Sequence, residues 1–180
     1  VMVTHDQALA ARADAVVITR YNQSSPEQIA RIKQAVRQYR PGIPVAMAVH
    51  KPARVHIIKG PEIPLEQLTG KKVYAYCGIG NPAAFFSTLK QLGVQIVGER
   101  CFADHHHYTQ ADVQNLYEQA KYLDADIVLG TQKDWIKTAL LSVERFDIIF
   151  AYLVVELEFV EGQDIIQNLI DSTLQKKKNG

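Results

Sequence analysis

Cysteine is scarce in this 180-residue chain: Cys77 and Cys101 are the only two, and no CxxC pair occurs. That excludes a disulfide framework and points to a reducing, cytosolic compartment. No stretch approaches the roughly 18 to 20 consecutive apolar residues needed to cross a bilayer. The opening VMVTHDQALAARAD has no basic region, apolar core or cleavage site of a signal peptide. Any membrane contact is therefore expected to be peripheral. Neither sign of charge dominates, with 20 Lys and Arg against 19 Asp and Glu and a net charge of +1, so no nucleic acid partner is expected. GxGxxG is not completed, HExxH is absent, and no internal repeat occurs. Position 1 is Val rather than Met, and ADAVVITR reads as an interior strand arriving almost at once. The sequence is expected to be a piece of a longer protein.

What is present is ordinary globular material, 47% hydrophobic and 22% charged, enough for one large or two small domains. The β-branched run DAVVITR, Asp14 to Arg20, reads as a buried strand. It is followed by a helix with Ile29, Ile32, Ala35, Val36 and Tyr39 on one face. Ser25 and Gln28 predict a capping box with Pro26 at the first helical position. VAMAVHKP is a second strand, expected to end at Pro52. Residues 51–69, interrupted by Gly60, Pro61 and Pro64 and followed by Gly70, read as a connector with β-ribbon character. From about residue 70 strands and helices alternate again to a final amphipathic helix, DIIQNLIDSTLQKKK, whose Lys176 to Lys178 form a solvated end. This order predicts an α/β protein with three layers and mostly parallel sheets, divided at 1–50, 51–69 and 70–180.

In such folds chemistry gathers in loops at the carboxyl ends of strands, and three stretches hold those positions. GIGNP, Gly78 to Pro82, is either a tight turn or a helix start able to receive an anion. TQKD places Thr131, Lys133 and Asp134 where a hydroxyl and an ammonium can meet a phosphate, although Thr and Asp are also ordinary caps. DHHHY sets Asp104 beside His105, His106 and His107 in a loop. Adjacent residues project in different directions, which suits zinc poorly. Histidines titrating near neutrality, with a carboxylate to fix a tautomer, suit proton transfer better.

GIGNPAAFFSTLKQLG, FADHHHYTQAD and TQKDWIK, in this order and spacing, resemble the tetraacyldisaccharide 4'-kinase (lipid A 4'-kinase) family across essentially the whole chain. Ala103 stands where the family usually has Pro, and Gln132 where it typically has Glu. The resemblance implies transfer of the γ-phosphate of ATP, with Mg²⁺, to the 4'-hydroxyl of a tetraacyldisaccharide 1-phosphate at the cytoplasmic face of the bacterial inner membrane. It implies that His105 assists an aspartate in deprotonating that hydroxyl, and that Asp104 orients the loop or contacts substrate. His106, Asn81, Thr131, Lys133 and Asp134 are implied as substrate- or nucleotide-binding residues, and His107 occupies a variable position. No metal ligand is expected among them. The family's phosphate loop, metal-binding acids and membrane-associating segment are expected upstream, because GxxxxGK[ST] does not occur here. Residues 1–50 would then be the remainder of a P-loop kinase-like domain, and 70–180 a second, smaller α/β domain. Two other readings fit the same residues: a noncatalytic nucleotide- or phosphate-binding module, and a metal-dependent hydrolase built on the histidines.

Overall fold

The computed structural model describes residues 13–138, 141–143 and 145–178, the side chains of 176–178 excepted. The opening residues of the first expected block, the end of KDWIKTALL and the lysines of the tail lie outside the described residues. The chain forms two compact units, one of residues 1–51 with 157–180 and one of 52–156.

In the first unit, β1 (Val16–Thr19) runs parallel to the start of β2 (Val45–Ile57). Between them lies α1 (Pro26–Tyr39), which opens with the capping box that its sequence predicts: Ser25 Oγ accepts from Gln28 N–H, and Gln28 Oε1 accepts from Ser25 N–H. The unit also holds the end of β7 (Ile149–Glu161) and α5 (Gln163–Lys178). Its helices bury little. No residue of α1 is fully buried, and Ile165, Ile170 and Leu174 of α5 are 46%, 48% and 55% exposed.

The second unit carries the larger core. Its strand order is β2-β7-β6-β4-β5, with β3 (Glu62–Ile63) antiparallel on β2. β4 (Lys72–Cys77) lies between β5 (Gln95–Cys101) and β6 (Ile127–Thr131), parallel to both, and β6 is parallel to β7. Helices α2 (Pro82–Gln91), α3 (Gln110–Tyr122) and α4 (Gln132–Thr138) follow β4, β5 and β6 in turn. β4 is buried on both sides because successive side chains of a strand face opposite ways. Val73, Ala75 and Cys77 pack with Phe85, Phe86 and Leu89 of α2, while Tyr74 and Tyr76 pack with Val113, Leu116 and Ala120 of α3. One sheet between two helical layers is the three-layer, mostly parallel α/β arrangement that the alternating pattern predicts.

Two boundaries differ from the sequence reading. Pro52 does not end its strand: β2 continues to Ile57. Pro52 falls between residues 45–48, paired with β1, and residues 55–56, paired with β3, so its missing N–H removes no bond from either ladder. The compact units also depart from the 1–50, 51–69 and 70–180 division. β7, 13 residues long, passes from one unit into the other, and residues 157–180 group with the amino-terminal segment. A strand of that length reads in sequence as one element, and nothing local marks where its packing partners change.

The tyrosines of β4 need space on the neighbouring strands, and glycines supply it. A Cβ on Gly130 of β6 would lie 2.4 Å from Tyr76 Cζ. A Cβ on Gly98 of β5 would lie 2.7 Å from the Tyr74 ring and 2.6 Å from Leu123 Cδ1, and at this point the β4–β5 register skips Val97. Gly130→Ala is expected to destabilise the protein by about 1–3 kcal/mol, the usual cost of forcing a methyl into a filled core. Denaturant unfolding of the two proteins measures it, and equal midpoints would contradict this account of the glycine.

Candidate functional site

The loops after β4, β5 and β6 meet because these strands are adjacent and parallel, so their carboxyl ends lie at one edge of the sheet. The first loop is GIGNP. Asn81 caps α2, its side-chain oxygen accepting from Ala84 N–H at 3.2 Å, with Pro82 at the first helical position. Gly80 faces the second loop, since a Cβ there would lie 3.4 Å from Asp104 Oδ2.

The second loop is a β-turn closed by His106 N–H donating to Ala103 C=O at 3.0 Å. Asp104 and His105 are its central residues. Asp104 Oδ1 accepts from His105 N–H at 3.0 Å. His105 has φ +62°, the left-handed region that a type II turn requires at its third position and that glycine usually fills. The turn thus holds the His105 imidazole at the surface, 78% exposed, with Nε2 3.8 Å from Asp104 Oδ2.

TQKD, expected to be the third loop, is the end of β6 and the first turn of α4, and from it Lys133 Nζ donates to Asp104 Oδ1 at 3.3 Å, with the two side chains 50% and 43% exposed. Desolvation is the largest single influence on Asp104 and raises its pKa. The Lys133 hydrogen bond, the His105 charge and the Lys133 charge outweigh it and hold the carboxyl below the ordinary range. Asp104, His105 and Lys133 therefore form one polar group at the strand ends, a carboxylate flanked by an ammonium and an imidazole.

The other expected residues are placed differently. Thr131 and Asp134 cap α4: Thr131 Oγ1–H donates to Asp134 Oδ2 at 2.5 Å, and Asp134 N–H donates to Thr131 Oγ1 at 3.2 Å. Asp134 is fully buried at 0% exposure. The His106 ring turns inward, stacked on Phe102 at 4.6 Å and edge-on to Tyr108 at 4.9 Å. Its Nε2 lies 3.2 Å from Asp112 Oδ2. Asp112 also serves the capping box of α3, accepting from Thr109 N–H and Oγ1–H at 2.8 Å each. His107 is exposed. The three histidines thus diverge. Among the described residues no group of three or more His, Cys, Asp or Glu side chains could hold a metal ion, so nothing there favours the histidine-based hydrolase. Cys77 is no nucleophile: burial first, then Cys101 and Asp134, push its thiol up to about 12.

Two residues that sequence reasoning passed over complete the picture. Gly78 begins GIGNP and Tyr108 ends DHHHY, and both are buried. A Cβ on Gly78 would lie 3.0 Å from Tyr108 Oη, 3.1 Å from Asp134 Oδ1 and 3.2 Å from Ala103 O. Gly78 is glycine for lack of room, and the atoms that take the room come from the loop after β5 and the first turn of α4. In sequence only the glycine itself and a terminal aromatic signal this, because the contact joins residues far apart in the chain.

The chain is thus a three-layer α/β protein whose polar side chains collect where adjacent parallel strands end, the place where this class of fold carries its functional loops. A family model described as Tetraacyldisaccharide-1-P 4'-kinase matches residues 6–175, and the chain belongs to that family. Curated tetraacyldisaccharide 4'-kinases are similar to it. The one from Halothermothrix orenii is 32% identical over 145 residues, covering 75% of this chain and 38% of the relative. The one from Syntrophus aciditrophicus is 31% identical over 138 residues, covering 76% and 35%, and the one from Rickettsia canadensis 45% over 82 residues, covering 45% and 25%. The chain thus spans well under half the length of these relatives. A solved structure titled as the "apo" form of LpxK from Aquifex aeolicus in complex with ATP aligns with a TM-score of 0.49 and 18% identity, over 88% of this chain and 52% of that one.

The left-handed turn makes a stability forecast. A side chain at φ +62° costs on the order of 1–2 kcal/mol that glycine does not incur. His105→Gly is expected to be more stable than His105→Ala by about 1 kcal/mol, measured by chemical denaturation. An alanine variant as stable as the glycine variant would show that the turn is unstrained.

Proposed function

We propose that this chain provides the strand-end loops of an enzyme that transfers the γ-phosphate of ATP to the 4'-hydroxyl of a tetraacyldisaccharide 1-phosphate. Membership of the kinase family supports the reaction class, and the junction of Asp104, His105 and Lys133 carries the assignment of roles. In this reading the sugar hydroxyl oxygen attacks the γ-phosphorus, the bond to the β-phosphate oxygen breaks, and the hydroxyl proton passes to a base. The base is an aspartate elsewhere in the longer protein, assisted by the exposed His105. Asp104 fixes the turn that presents His105. Lys133, half-exposed and already facing one anion, offers its remaining N–H bonds to a phosphate oxygen. Asn81 opens α2 beside this group, where free backbone N–H groups favour an anionic ligand. Mg²⁺ would neutralise charge on the phosphate oxygens, and its ligands are assigned to residues other than those described here.

The substrate's acyl chains stay in a bilayer, so the reaction belongs at a membrane surface, which we place at the cytoplasmic face of the bacterial inner membrane with peripheral contact. No helix among the described residues is long and apolar enough to cross a membrane.

Radiolabel transfer from ATP to the disaccharide acceptor tests the reading. In an enzyme that joins this chain to a phosphate-loop region, His105→Ala is expected to lower kcat by roughly 10² to 10⁴-fold, the range of general acid–base catalysis, with little change in KM for ATP. His107→Ala is expected to change kcat far less. A near-normal kcat for His105→Ala would refute the proton-transfer role. A second expectation concerns the 180 residues alone, which lack GxxxxGK[ST] and so lack the cradle for the β- and γ-phosphates. No label should be transferred above a no-enzyme control, and turnover by the chain alone would overturn the proposed division of labour.

A further inference from the structure

The niche beside Gly78 contains two polar atoms with no stated purpose. Asp134 Oδ2 is satisfied by Thr131, but Asp134 Oδ1 and Tyr108 Oη are both buried without a hydrogen-bond partner. Leaving a buried polar group unpaired costs about 1–3 kcal/mol, and more for a charged one. Two such atoms would be an expensive coincidence. Both border the same spot, 3.0 and 3.1 Å from the point where a Gly78 Cβ would be, and neither is bonded to the other as the side chains stand, so a small turn of the hydroxyl or the carboxylate is what would join them. Burial first, and then the charge of Asp134, push the Tyr108 phenol pKa up, so the proton stays on the oxygen and is available for donation.

The surroundings fix both partners. The Tyr108 ring meets Phe102 at 4.9 Å, His106 at 4.9 Å and Tyr76 at 5.9 Å, all edge-on, which leaves its hydroxyl little freedom to turn elsewhere. Asp134 is held by its cap on α4. In the chain, Asp134 follows Lys133 directly, and Tyr108 ends the short loop that contains Asp104 and His105. A tie between Asp134 and Tyr108 therefore joins the backbones that carry the two halves of the Lys133–Asp104 pair. Asp134, at 0% exposure, cannot itself reach a substrate.

We propose that Tyr108 and Asp134 are positioning residues, the Tyr108 hydroxyl donating to Asp134 Oδ1 beside Gly78 so that the Asp104–His105 turn is held against Lys133. The bond satisfies both buried atoms at once. It also explains why position 78 has no side chain, since a methyl there would part the two groups. The inference rests on the kinase reading only for its consequence in catalysis; the structural tie stands on the geometry.

The test follows Asp104, which Lys133 faces from α4 and His105 from its own loop. Carboxyl carbon NMR titration of the 180-residue chain is recorded for the parent, Lys133→Met, Tyr108→Phe and Asp134→Asn. In the parent Asp104 titrates below the ordinary value of about 3.9. Lys133→Met is expected to raise its titration point by removing the ammonium. Tyr108→Phe keeps the ring and its packing but removes the hydroxyl, and is expected to raise it in the same direction by at least half as much. Asp134→Asn keeps an Oδ1 acceptor for the Tyr108 hydroxyl and removes a negative charge, so it should not raise the Asp104 titration point, and a rise there as large as that of Tyr108→Phe would count against the bond. An Asp104 titration unmoved in folded Tyr108→Phe overturns the proposal. This measurement needs no phosphoryl transfer, so it remains decisive if the kinase reading fails. In the longer enzyme, Tyr108→Phe is expected to lower kcat by about 10²-fold with KM for ATP unchanged, the size of effect associated with displaced catalytic groups. An unchanged kcat there also counts against the proposal.

Discussion

The burial of β4 on both faces is the constraint from which the rest of the second unit follows. Val73, Ala75 and Cys77 are at 0% exposure on one face, and Tyr74 and Tyr76 at 5% and 2% on the other. A strand so enclosed must have helices above and below it and a strand on each side. The two tyrosines are wider than the spacing between strands permits unless the neighbours yield, and Gly98 and Gly130 yield by having no side chain. Register is set by the same contact, because a slip of one residue would put a Cβ beneath each ring and turn every β4 side chain to the opposite face.

From that packing the site inherits its place. With β6, β4 and β5 parallel and adjacent, their loops are brought together by the sheet rather than by any affinity between them. What the loops then do is divided between surface and interior. The Asp104–Lys133 pair is about half exposed and contributes little to stability, as surface ion pairs generally do. His105 sits in a backbone conformation that disfavours side chains. A weak ion pair and a strained residue at the same point add little to stability, which accords with the role proposed for them above. Beneath them, Asp134, Tyr108 and Gly78 form a close-packed floor.

The first unit presents the opposite balance. Its helices leave Ile165, Ile170, Leu174 and Tyr39 about half exposed, while the larger unit encloses a core on each side of its sheet. The chain spans 38% of the Halothermothrix orenii relative and 35% of the Syntrophus aciditrophicus relative.

Much of the architecture was legible in the sequence because local chemistry determines it. Ser25 with Gln28 marks a helix start, since a side chain three residues away can reach the free N–H groups, and the box forms. The alternation of strands and helices led directly to the parallel α/β class, and GIGNP and DHHHY were recognisable as loops, whereas TQKD is a strand end that runs straight into the first turn of α4. Pro52 misled because its local rule, a missing donor, matters only where a partner strand needs that donor. The grouping of residues 157–180 with the amino-terminal segment was equally hidden, since β7 gives no internal sign of where its neighbours change. Within the site, residue types and loop positions were set by sequence. Which residues meet was decided only by tertiary structure: His105 and Lys133 gather around Asp104, His106 turns away to Asp112, and Asp134 and Tyr108 both come up against Gly78. Those partnerships join residues 26 to 56 positions apart or redirect neighbours within one turn, and only the stacking of strand ends at one sheet edge brings them within range of a hydrogen bond.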